Sequence, residues 1–338
     1  GPRLVVMLVA AAVGAVCFGM AVATTVLAFF VGFAALRALG QGSLPINATL
    51  LTAQWFVKRR GRAMAIMGLG FAFSNAILPP ASRWLIDAYD WRVAYMALGV
   101  MVWILVIPAA LLIVRNTPEE VGLHPDGASE PPSMEAAGSG LRPGEKDQRK
   151  IFSTWTFWLL ALPMSTPGLV MTALVFHQTS IFAERGLSAT LAAGVFVAFS
   201  IASALVALVT GVLVDRWGPR WLFAVGMLFL LMGTIMAGVI SSPLMATMYA
   251  TVLGVSGGIT QLISSVTWAH FYGRHGLGRV QGAAMMLVIT GAAIGPLPLA
   301  AMRTLTGSYT AGLVLLAILP VLAVIAIACA KPQSISAS

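Results

Sequence analysis

Arg37, in the stretch "LRALGQG" (36–42), is the one Lys or Arg well inside a long apolar segment. Its guanidinium is permanently charged and presents a planar fork of donors that matches a carboxylate. Insertion scales put an arginine at a span's centre at roughly 2.5–3.5 kcal/mol unfavourable, so it must meet water, carbonyls or an anion. Gln41 lies one helical turn on and shares its face. Two readings fit Arg37. It contacts an anion in a solvated cavity, or it locks two helices by bonding backbone carbonyls near the membrane surface.

A second polar set lies in "GGITQLISSVTW" (257–268), where Gln261, Ser264, Ser265 and Trp268 recur at i, i+3, i+4 and i+7. That spacing puts them on one helix face. They line a cavity, or they bond between helices behind close-packed glycines, as membrane helices commonly do. Asn75 and Ser203 are weaker candidates of the same kind. A third set, Asp215 and Arg216 in "GVLVDRWGPR" (211–220), sits between two apolar runs. An aspartate there could cap a neighbouring helix N-terminus and bias a conformational equilibrium, while the plain alternative is a topology signal.

Other chemistry is excluded. Only Asp87, Asp90, Glu184 and Asp215 are acidic outside residues 115–150, all in or near loops, so no span holds a buried carboxylate. Cys17 and Cys329 fall inside apolar runs and read as small buried hydrophobes, not as a disulfide or thiolate site. His177 and His270 stand alone near span ends, where histidine is more often structural. No metal, cofactor or enzyme active site is expected.

The elements that must carry these residues follow from composition. Hydrophobic residues make up 59% of the 338 and charged residues 9%, against about 25% charged in soluble domains. Lipid is therefore the solvent for most of the chain. Segments long enough to span run over 4–25, 28–53, 63–85, 92–114, 153–176, 188–210, 221–240, 244–267, 280–302 and 309–330. Nothing alternates as barrel strands do, so all ten are helices. The net charge of +9 is spread in short clusters between these runs, which argues against nucleic acid and for positive-inside loops. With both termini cytoplasmic, fifteen of the twenty Lys and Arg fall on that side.

Residues 115–150 hold five prolines and seven of the eleven acidic residues, and read as an irregular cytoplasmic linker. It separates an N-terminal bundle (1–114) from a six-helix bundle (151–331), followed by a cytoplasmic tail (332–338). Gly1-Pro2-Arg3 matches Gly218-Pro219-Arg220 at an offset of 217, which also carries Gly61-Arg62 onto Gly278-Arg279 and Pro79 onto Pro296. One shift across three landmarks indicates two parallel repeats. Two helices precede the motif in the second half and none in the first, so the chain is expected to lack about two spans.

These motifs resemble those of a known family. "GVLVDRWGPR" is similar to the loop signature of the major facilitator superfamily, and "RALGQG" (37–42) resembles its fourth-helix arginine motif. "WFVKRRGRAMAIMGLG" (55–70) and "TPEEVGLHPDG" (117–127) resemble the fifth-helix signature and central loop of its monocarboxylate and oxalate/formate-type branch. The resemblance implies an all-α membrane protein with a two-bundle fold, here truncated to four plus six helices, the third to twelfth of twelve. It implies a secondary transporter in the cell membrane, monomeric, moving a small organic solute such as a carboxylate by alternating access, with a proton or counter-anion coupled. On that plan substrate contacts fall to Arg37, Gln41, Asn75, Gln261, Ser265 and Trp268, and Arg37 also stands where the family has a proton-coupling arginine. Conformational gating falls to Gly211, Asp215, Arg216, Gly218 and Arg220, with Lys58, Arg59 and Arg60. The competing expectations are a truncated, non-transporting or sensor-like membrane protein, and a carrier of a non-carboxylate solute or drug.

Overall fold

A computed structural model describes residues 2–56, 60–124, 126, 155–272 and 277–329. Lys58, Arg59, most of the linker and the 332–338 tail lie outside the described residues. Among those described, all regular structure is helical. The elements are α1 (Pro2–Val22), α2 (Val26–Leu36), a π-helical turn (Arg37–Ser43), α3 (Leu44–Trp55), α4 (Arg60–Ala88) and α5 (Trp91–Leu112), then a 3-10 turn (Pro118–Val121). There follow α6 (Trp155–Glu184), α7 (Ala189–Gly194), α8 (Phe196–Val239), α9 (Pro243–Tyr272), α10 (Leu277–Ile294), α11 (Pro296–Thr306) and α12 (Thr310–Cys329).

Nine stretches among the described residues are long and apolar enough to cross a membrane: 2–22, 26–52, 91–112, 157–184, 189–214, 216–239, 243–264, 282–306 and 310–329. The remaining expected span, 63–85, lies within the 29-residue α4. Every expected span thus falls on helix, and the all-α membrane class holds.

Helix starts follow capping chemistry. Thr25 is extended, and its hydroxyl accepts from the Ala28 N–H at 3.2 Å. Ser188 does the same for Leu191 at 3.1 Å. Each hydroxyl satisfies one of the amide donors that a first turn leaves unpaired. The stretch 211–220, expected as a loop, is helical up to Trp217 and again from Pro219. Only Gly218 departs, at φ 73° and ψ 156°. Glycine alone tolerates that region, and Pro219 is suited to start the next helix.

The described residues fall into two compact units, one within 1–71 and 81–140, the other within 72–80 and 141–338. In the first, α1 packs along α5 and also meets α2, the π turn and α3. Val9, Val13 and Cys17 form its buried centre, with Leu36, Leu39, Leu44, Tyr95 and Val102 packed on them. The Trp103 indole N–H donates to the Ala11 carbonyl at 3.1 Å and its ring lies 5.1 Å from Phe18. In the second unit α9 packs along α8, α10 along α6, and α12 against both α8 and α6. Its core includes Phe157, Leu160, Met227, Leu230, Tyr249 and Leu253, all essentially inaccessible.

The repeat extends to the helix boundaries. α1 ends at Val22 and α8 at Val239; α2 begins at Val26 and α9 at Pro243. Both pairs carry the 217-residue offset of Pro2 and Pro219. α4 ends at Ala88 and α11 at Thr306, within one residue of the same shift.

Candidate functional site

Arg37 opens the π-helical turn in the middle of the 26–52 span. Its backbone N–H still bonds back to Ala34 and Phe33, but by the end of the turn the ladder has lengthened, with Leu44 N–H donating to Leu39. A wider turn inserts a residue and re-aims the side chains around it, and such turns gather at functional sites. Leu39 and the flanking Leu36 and Leu44 face the α1 cluster, which leaves the polar residues of the turn to other directions. Arg37 is half-buried, and its Nη1 is buried with no hydrogen-bond partner among the described residues. A buried guanidinium donor without an acceptor is costly unless something anionic or polar meets it. No hydrogen bond from this guanidinium to a backbone carbonyl occurs among the described residues. Gln41 is exposed on the same turn, and Gly40 leaves open space beside it. Below it Asn47 is buried, its amide donating to the Ser43 carbonyl at 2.8 Å.

The other candidates lie elsewhere. Asn75 is half-buried on α4. Gln261 is exposed on α9 and its carbonyl accepts from the Ser264 hydroxyl at 2.8 Å. Trp268, on the same helix, is 3% exposed and stacks 5.8 Å from Phe157 in the core, so burial separates it from Gln261. The Ser265 side chain lies outside the described set. In the signature stretch a Cβ added at Gly211 would lie 3.8 Å from the Leu262 side chain of α9, Arg216 is exposed and Arg220 half-buried. The side chains of Asp215 and Arg60 are outside the described set.

One cluster had no sequence signal beyond lone residues. His177 on α6 is buried, and its Nε2 lies 3.1 Å from the Pro296 carbonyl oxygen. Its ring is 5.3 Å from Tyr309. The Arg303 guanidinium lies 5.5 Å from the centre of the same Tyr309 ring and pairs with Glu184 at 2.9 Å. The partners come from α6 on one side and from α11 and the approach to α12 on the other, more than a hundred residues away in the chain, so no local pattern could reveal them.

Among the described residues no group of three or more His, Cys, Asp or Glu could hold a metal ion. The family model described as Major Facilitator Superfamily matches residues 1–296 and again 168–336. Human monocarboxylate transporter 11 is 28% identical over 307 residues, covering 87% of this chain and 61% of that protein. The riboflavin transporter RibJ of Trypanosoma brucei brucei is 32% identical over 92 residues, 27% of this chain and 17% of that protein. This chain therefore spans about three-fifths of the length of the human relative. Among solved structures, a bacterial homolog of the human lysosomal transporter Spinster, inward-facing and unoccupied, matches with a TM-score of 0.74 at 15% identity. The match covers 97% of this chain and 82% of that one.

Proposed function

Because the chain belongs to the Major Facilitator Superfamily and is a multi-pass membrane protein, we propose that it is a transporter of the monocarboxylate type, moving a small carboxylate by alternating access. The observation that carries this reading is the half-buried Arg37 guanidinium, whose Nη1 has no acceptor among the described residues, in the middle of a span. A fixed positive charge between low-dielectric walls concentrates anions, and its forked donors match the two oxygens of a carboxylate. Gln41, exposed beside it, supplies a neutral donor and acceptor to the same solute. The likeness to human monocarboxylate transporter 11 supports the solute class.

In this reading the protein sits in the cell membrane as a monomer with both termini cytoplasmic, and a proton or counter-anion accompanies the solute. Asn75, Gln261 and Ser265 remain candidate solute contacts, whereas Trp268, 3% exposed, is buried in the core. Gly211, Asp215, Arg216, Gly218 and Arg220, with Lys58, Arg59 and Arg60, set the balance between conformations. The φ of 73° at Gly218 supports a hinge at that point. A second reading, a carrier of a larger non-carboxylate solute, draws on the shorter similarity to the riboflavin transporter RibJ.

Counterflow separates these readings from a non-transporting sensor. Liposomes holding the protein and unlabelled pyruvate or lactate are diluted into labelled solute, and a transient overshoot is expected. Overshoot with riboflavin alone favours the second reading, and none with any solute refutes transport.

A further inference from the structure

Gly40 follows Arg37 in the π-helical turn, and its backbone carbonyl meets neither partner that a helix ladder offers. The donor four residues on, the Leu44 N–H, bonds to the Leu39 carbonyl instead. The donor five residues on would belong to Pro45, which has no N–H. Among the described residues no side chain donates to this carbonyl. The Asn47 amide goes to the Ser43 carbonyl, at 2.8 Å. An unpaired carbonyl within a span is tolerated only where protein covers it or where it lines a water-filled cavity. Gly40 is half-buried, and a Cβ added there would meet nothing within 4 Å, so the backbone is open to close approach by a ligand.

We infer that the Gly40 carbonyl is a specificity-determining acceptor, and that the solute held at Arg37 is a short hydroxy-monocarboxylate. The inference rests on the carboxylate reading of Arg37 and adds the solute's second group to it. A guanidinium has only donors and takes the carboxylate, whereas a carbonyl only accepts and so requires an O–H or N–H from the solute. Three residues separate Arg37 from Gly40, no more than about 4.5 Å along the axis at 1.5 Å per residue. A molecule of three or four carbons covers that distance.

The charge of the turn selects among donors. Carbonyls of unwound membrane helices hold metal cations in some transporters, but here the permanent charge of Arg37 on the same turn repels one. An ammonium group meets the same opposition, and a neutral hydroxyl does not. Gln41, exposed on the turn, can both donate and accept, so it serves a hydroxyl and a keto oxygen equally. The Gly40 carbonyl cannot change roles. A keto oxygen or a methylene placed against it displaces water and leaves it unpaired, and that cost falls on solutes without a donor.

The test is competition in counterflow, with labelled lactate and the 338-residue chain in proteoliposomes. Lactate, pyruvate and propionate are of similar size and differ at the second carbon, which bears a hydroxyl, a keto oxygen or only hydrogens. Unlabelled lactate should compete at roughly tenfold lower concentration than either of the others. Pro45→Ala supplies an N–H to the Gly40 carbonyl, so that ratio should fall toward one while propionate competes as before. A proline with only a structural task would weaken all three alike, and that result overturns the proposal, as does equal competition by the three in the unsubstituted chain. Gly40–Gln41 is the only Gly–Gln pair in the sequence, so carbonyl carbon-13 glycine combined with nitrogen-15 glutamine reports that one carbonyl by magnetic resonance. In lipid nanodiscs its carbon signal should move downfield with saturating lactate and not with propionate, a readout that needs neither transport nor a variant that folds. A signal that moves with neither, or with both alike, also overturns the proposal. Absence of binding and counterflow by every carboxylate would instead refute the carboxylate reading of Arg37, and this inference with it.

Discussion

Arg3 donates from Nε to the carbonyl oxygen of Ala110, 3.0 Å away, so the first turn of α1 holds the last turn of α5. Its guanidinium also reaches the Leu111 carbonyl, and its backbone N–H donates to the Asn116 side chain at 3.0 Å. The last carbonyls of a helix have no partners within it, and a cation there also meets the negative end of the helix dipole. Arg3 is the counterpart of Arg220 in the repeat, which gives the signature arginine of the first half a structural task.

Arg3→Ala is therefore expected to destabilise the protein by about 1–3 kcal/mol. Thermal unfolding in detergent reads it, and Arg3→Lys should recover only part, since one ammonium cannot reproduce the fork. An unchanged midpoint would mean that these bonds contribute nothing net.

Glu120 offers a pH-dependent test of the same corner. The Asn116 side-chain amide donates to its carboxylate at 2.9 Å and the Asn116 backbone N–H at 3.0 Å. The side-chain bond first, then the backbone bond, holds the Glu120 carboxyl below the ordinary glutamate range. A carboxyl lowered in the folded state stabilises above its unfolded value, and that contribution is lost as pH falls through the folded one. Carbon-13 titration of Glu120 should give a midpoint below that of a free glutamate, and Asn116→Ala should raise it. A midpoint unaffected by Asn116→Ala would rule out the Asn116 side-chain bond as the cause.

Gly218→Ala places a Cβ on a backbone at φ 73° and ψ 156°, a region that side chains avoid at a cost of about 1–3 kcal/mol. The substitution should slow solute exchange while leaving solute affinity within a few-fold, because the residue belongs to the signature and not to the proposed solute contacts. Rate measurements across solute concentrations separate the two, and a large affinity loss at unchanged maximal rate would contradict the hinge role.

Gly295→Ala should part α6 from the α10–α11 junction, since its Cβ would clash with the Leu169 carbonyl. Overpacking of this kind costs about 1–3 kcal/mol. The measurable consequence is faster exchange of the Pro296–Thr306 amides, with the rest of the chain little altered. Slower or unchanged exchange there would count against the close approach.

The spans were legible because hydropathy over about twenty residues is set by lipid alone. The repeat was legible because prolines and glycines mark helix ends, as Pro2, Pro219 and Gly218 do. The π turn at Arg37–Ser43 was not, since one lengthened turn leaves composition unchanged. The span expected over 280–302 was legible for the same reason as the other spans: apolar residues continue through Gly295, whose backbone stays helical, and the observed span runs over 282–306. Spacing put Trp268 on a face with Gln261, but spacing says nothing about what covers each residue, and Phe157 covers Trp268. The His177 cluster joins residues whose proximity depends on the packing of α6 with α11, which no local pattern records.

The most direct measurement is uptake of labelled monocarboxylate into proteoliposomes by the unsubstituted protein, Arg37→Lys and Arg37→Gln, at matched protein content. Lysine keeps the charge but loses the forked donors, so Arg37→Lys is expected to transport at least roughly tenfold more slowly at low solute concentration. Glutamine, which loses the charge as well, should fall to background. Uptake by Arg37→Gln equal to that of the unsubstituted protein would contradict the carboxylate contact at Arg37.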